Sequence, residues 1–197
     1  MKKLLVLIIP FALLPIGVPA QQQAKQSIPE ILSWISSHLE VATVSTVVEF
    51  SAQSVDYADE KFVTSIAFQG CNVSITQVEV NQYYKADSGL PDYTLEQTGT
   101  ATLDLSNGLP DEITAGKGSD GRPPAHLIIK FAQPFAWHQE QKYSANPVPQ
   151  DVVDNFNLNQ VEIPFATLDA ANSQSKAWHN VIVACGGKPA PDNPSTK

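Results

Sequence analysis

The chain has 197 residues, 43% of them hydrophobic, and a formal net charge of −8. Its length suits one domain of ordinary size. An acidic surface with no basic run repels phosphate backbones and anionic headgroups, which argues against nucleic acid and membrane surfaces as partners.

At the N-terminus, Lys2 and Lys3 precede an apolar stretch over residues 4–14 that only Pro10 interrupts. Val18, Pro19 and Ala20 then set small residues ahead of Gln21. This is the layout of a secretory signal peptide cut after Ala20, and the run falls short of the ~20 residues of a membrane span. The expected division is a leader over 1–20, a linker over 21–26, one domain over 27–187 and a disordered tail over 188–197. The route is Sec export to a periplasm or the cell exterior. The leader holds two lysines and no acid, so the charge without it is −10.

Ser27 and Glu30 have capping-box spacing, with Pro29 in the first turn, and open a helix expected to reach about Glu40. Ile28, Ile31, Leu32, Ile35 and Leu39 form its apolar stripe. Alternation over 42–52 predicts a strand. A turn is expected over 56–60, then an inward face of Phe62, Thr64, Ile66 and Phe68. The apolar phase turns odd at Cys71, Val73 and Ile75 and even again at Val78 and Val80. A one-residue slip reverses the buried face, so bulges or breaks are expected at Gly70 and near Gln77.

A loop is expected over 85–91, a strand at Ala101, Leu103 and Leu105, a turn at Asn107-Gly108, and strands at Leu127, Ile129 and Phe131 and at Val161, Ile163 and Phe165. The polar, proline-containing stretch 133–160 reads as a long surface connection bearing aromatics. A helix over 168–184, with Ala171, Trp178, Ile182 and Cys185 on one face, ends at Gly186-Gly187. The expected class is α+β: a strongly bent antiparallel sheet or half-barrel closed by the C-terminal helix, with an extra N-terminal helix. Its nearest analogue in shape is a pleckstrin-like half-barrel.

Cys71 and Cys185 are the only cysteines. An even number beyond a secretory leader favours a disulfide, the alternative being two buried thiols.

The strings Cys71-Asn72-Val73-Ser74-Ile75, Leu105-Ser106-Asn107-Gly108-Leu109, and Ala177 through Cys185-Gly186-Gly187-Lys188 resemble an uncharacterised group of secreted bacterial proteins. That group has a Cys-x-Val-x-Ile strand and a terminal helix ending in Cys-Gly-Gly. Where the group often has histidine, this chain has Asn180. The resemblance implies export and the disulfide, and no chemistry.

Local motifs for catalysis fail on context. The string from Gly116 to Gly121 matches G-x-G-x-x-G, but Pro123 and Pro124 preclude the helix that a dinucleotide loop must open. His38, His126, His138 and His179 lack ligand spacing. The acidic clusters Asp56, Asp59 and Glu60, and Asp151 and Asp154, lack the periodicity of a calcium loop. No cofactor, metal or catalytic residue is expected. Phe135, Trp137 and Tyr143 are the expected ligand contacts, since aromatics in a polar connection suit recognition; the alternative is that they plug one end of the sheet. The expected function is binding of a small molecule or protein, with a small hydrolase whose site is assembled in three dimensions as the alternative.

Overall fold

The computed structural model describes residues 27–39, 42–46, 57–84, 91–118, 124–144 and 151–190. The expected leader, the linker and the tail beyond residue 190 lie outside them.

Helix α1 (Ile28–Ser37) begins as its sequence directs. The Ser27 backbone N–H and hydroxyl donate to Glu30 Oε2 at 2.7 and 2.9 Å. It ends before Glu40, where the Ser37 hydroxyl and the His38 ring both turn back on the Trp34 carbonyl. Seven strands follow: β1 (Ala42–Thr46), β2 (Tyr57–Gln69), β3 (Asn72–Tyr84), β4 (Pro91–Asp104), β5 (Thr114–Lys117), β6 (Ala125–Tyr143) and β7 (Val152–Phe165). Helix α2 (Leu168–Ala184) closes the fold, with the Thr167 hydroxyl accepting from the Ala170 N–H.

All strand pairs are antiparallel, in the order β1-β2-β3-β4-β6-β5, with β7 on the other side of β6. The class is α+β and the sheet is not closed. Along one edge strand β6 serves two neighbours: Trp137–Tyr143 pairs with β4 and the stretch from Ala125 to Ile128 pairs with β5. Between these halves the ladder to β7 jumps from Lys130–Gln160 to Phe135–Leu158. The extra residues include Pro134, which cannot donate to a ladder, and a bulge of this kind bends a strand. The bend brings Leu127, Ile129, Val161 and Ile163 into one core with Val73, Ile75 and Leu103. The α2 residues Trp178, Val181 and Ile182 fill that core, and Ile31, Leu32 and Ile35 of α1 extend it.

Three expectations are corrected. Asp59 and Glu60 lie within β2, not in a turn. The break expected at Gly70 is present, since Gly70 and Cys71 form the turn between β2 and β3, but none occurs near Gln77, where the ladder runs unbroken from Gln69–Asn72 to Tyr57–Tyr84. The apolar phase changes there because the sheet outruns the helices. Gln77, Glu79 and Asn81 continue the face of Val73 and Ile75, but among the described residues no helix covers them, so polar residues stand where apolar ones stood. The stretch 133–160 is not a surface connection: its described residues form the second half of β6 and the first half of β7. Phe135, Trp137 and Leu158 of this stretch still join or pack on the core, and its polarity comes from side-chain amides such as Gln139 and Gln141 that bond Gln97 across the ladder.

A clamp joins α2 to the sheet. Cys71 and Cys185 form a disulfide with Cα atoms 5.7 Å apart. The Leu105 N–H donates to the Cys71 carbonyl at 3.0 Å. Gly187 packs so closely on this turn that an added Cβ would stand 2.7 Å from the Gly108 carbonyl oxygen. The Cys71, Leu105–Gly108 and Cys185–Gly187 segments, far apart in sequence, thus meet at one place.

Candidate functional site

Because the sheet is bent but not closed, β7 approaches β2 and β3 across a gap. Among the described residues the Gln77 side chain spans it: Nε2 donates to the Glu162 carbonyl at 2.6 Å. Beside this bond lies a cleft of about 210 Å³. Phe62, Val63, Val78 and Pro164 supply its apolar lining, and Thr64, Gln77, Glu79, His126 and Glu162 its polar lining. Its size suits a side chain or a small molecule.

Each residue arrives through strand periodicity. Thr64 stands across from Gln77, and Phe62 from Glu79, on the β2–β3 ladder. His126 stands across from Pro164 on the β6–β7 ladder, between core positions Ala125 and Leu127 that face the other way. Its Nδ1 abuts Glu162 Oε1, but the two are not aligned as a ring N–H hydrogen bond. Half of the Glu162 side chain reaches solvent. Among the described residues no Ser, Thr or Cys is hydrogen-bonded to His126, so the histidine–carboxylate pair has no poised nucleophile.

A second hollow of about 240 Å³ adjoins the first and shares Gln77 and Glu162 with it. Trp137 and Leu158 form its wall. The structure therefore brings Trp137 to the cleft's edge, although the residue is 8% exposed and belongs to the core. Phe135, half-buried, packs edge-on to Phe131 with ring centroids 5.4 Å apart. Tyr143 sits at the far end of β6, where its hydroxyl donates to Gln141 Oε1 at 3.1 Å. The three expected contacts are thus not one cluster.

Further along the same face the sheet is lined by polar side chains. Gln97 Oε1 accepts from Gln139 and Gln141. Asn81 Nδ2 donates to Glu79 Oε1 at 2.7 Å. Burial, and secondarily the charge of Glu79, push the Glu60 carboxyl above its ordinary value.

The other histidines lie elsewhere. His38 stacks on Trp34, and His179 Nδ1 meets the Pro110 carbonyl at 3.2 Å. His138 lies between Asn155 and Glu140 on the opposite face of the sheet. Gly116 and Lys117 of the glycine-rich string end strand β5, and the next described strand, β6, begins at Ala125. Among the described residues no three His, Cys, Asp or Glu side chains converge as a metal cluster, and no helix is long and apolar enough to cross a membrane.

Sequence reasoning missed Phe62, Gln77, His126 and Glu162 as neighbours, because a bend in β6 brings them together and no local spacing encodes it. The one available signal was the phase change at Gln77, which marks where the sheet leaves its core. Comparison of the chain with family models, curated proteins and solved structures finds no match.

Proposed function

We propose that the chain is an exported, non-catalytic binding domain, akin to the secreted group it resembles, and that the cleft between β3 and β7 receives the ligand. The carrying observation is the gap itself. A seven-stranded sheet bends far enough to bring β7 beside β2 and β3, yet among the described residues a Gln77 side chain stands where a ladder would close it. An apolar lining with a few polar groups is the ordinary make-up of a small-molecule site. Phe62 and Pro164 receive an apolar body, while Glu79, Glu162 and His126 favour a polar or basic end.

The disulfide supports export, since such bonds persist in oxidising compartments. The His126–Glu162 contact favours hydrolysis as a second reading, but a triad needs a nucleophile in reach of the histidine.

A thermal-shift screen of small amphipathic compounds tests the proposal. Binding-induced shifts should fall in Phe62→Ala and His126→Ala while the unliganded fold persists. Trp137→Ala is unsuited to this purpose, because it empties the core. Turnover of ester, peptide or glycoside substrates that His126→Ala abolishes would establish the enzyme reading instead.

A further inference from the structure

We infer that Glu60, Glu79 and Asn81 form a binding site for a hard divalent cation, calcium above all, on the concave face beyond the cleft. The inference is independent of whether the cleft binds an organic ligand.

Three observations carry it. First, β2 and β3 place the three side chains on one face: Glu60 stands directly across from Asn81, and Glu79 lies two residues before Asn81 on the same side. Second, Asn81 is 5% exposed, and its Oδ1 has no hydrogen-bond partner although its Nδ2 donates to Glu79. A buried carbonyl oxygen without a donor is costly, and a cation satisfies it. Rotating the amide does not help, because it would set Oδ1 against the Glu79 carboxylate. Third, among the described residues no basic residue balances the two carboxylates within their rows. The ladder continues from Asn81 to Leu95 and Tyr143, and from Glu79 to Gln97, Gln141 and Val152. Strand alternation turns Lys61 and Lys142 to the opposite face.

Carboxylate and amide oxygens are ligands for a hard cation, and calcium's flexible shell tolerates water at the remaining positions. Two carboxylates and one amide make a sparsely charged site. Its affinity belongs with extracellular modules, at a Kd of about 0.1–1 mM. Such a site is filled in millimolar extracellular calcium and empty in a cytosol.

The test is calcium titration of the oxidised, chelator-treated protein by calorimetry, with backbone NMR to locate the change. The expected result is saturable binding, with shifts centred on Glu60, Glu79 and Asn81. Glu60→Gln and Glu79→Gln should each weaken it by about tenfold or more, since charge count sets calcium affinity, while Glu140→Gln on the opposite face leaves it unchanged. If a variant fails to fold, the wild-type NMR map decides. The inference is overturned by no saturable binding at low-millimolar calcium, by shifts centred elsewhere, or by equal affinity in folded Glu60→Gln and Glu79→Gln.

Discussion

The Trp137 indole lies where a side chain on Gly99 would be: a Cβ at that position would stand 2.0 Å from Trp137 Cζ2. The ladders explain the meeting. Ala101 is across from Trp137 and Gly99 across from Gln139, so the long indole reaches one step along β4 and covers the glycine. Gly99→Ala forces the ring aside and should cost about 1–3 kcal/mol, the usual range for overpacking. Urea unfolding should show a lower midpoint with an unchanged slope. Combining it with Trp137→Leu should cost less than the sum of the two single changes, because both act on one contact.

Residues 71 and 185 are 114 apart in sequence. Linking them removes chain entropy from the unfolded state worth about 4–5 kcal/mol in the loop-closure model, of which removal of a native bridge commonly realises 2–5 kcal/mol. Cys71→Ala with Cys185→Ala should therefore lower unfolding free energy by about 2–5 kcal/mol, measured against the oxidised parent. The loss should show first at α2, whose C-terminal end the bridge ties to the β2–β3 turn. Hydrogen exchange of the Val181–Cys185 amides reads this directly.

His138 offers a check on the opposite face. Its hydrogen bond to Asn155 first, and that to Glu140 second, hold the imidazole above its ordinary value of 6.5. A raised histidine stabilises the fold in full below its unfolded value and loses that contribution as pH rises through the folded one. NMR titration of the ring should give a midpoint above 6.5. Asn155→Ala should bring it down.

Glu60 carries the opposite sign. Its carboxyl titrates above the ordinary 4.5, chiefly through burial and next through Glu79. The folded state then holds a proton that the unfolded state has released, so stability falls as pH rises through the folded value. In chelator at neutral pH, Glu60→Gln should melt above the wild type, and the gap should narrow as pH falls toward 4.5. Saturating calcium should reverse the order, since only the wild type then gains from binding.

Much of the fold was legible in sequence. The α1 capping box, the α2 face with Trp178 and Ile182, the paired cysteines and the antiparallel, bent sheet followed from spacing and compartment. The second half of β6 did not, because Gln139, Gln141 and their partner Gln97 satisfy one another across the ladder and leave no apolar alternation to detect. Nor did the cleft. Gln77 and Glu162 are 85 residues apart, and only the bulge beside Pro134 brings them together. Trp137 was legible as an aromatic of consequence, but Gly99, which lets it pack inward, lies on another strand.

The central claim is that the gap between β3 and β7 is a binding site. Backbone NMR of the oxidised domain, titrated with a library of small amphipathic molecules, tests it most directly. The account predicts hits whose shifts converge on Phe62, Thr64, Gln77, Val78 and Glu162, and which weaken in Phe62→Ala and Glu162→Gln. Hits that converge on the opposite face around Thr100 and His138, or that bind equally well in both variants, would contradict it.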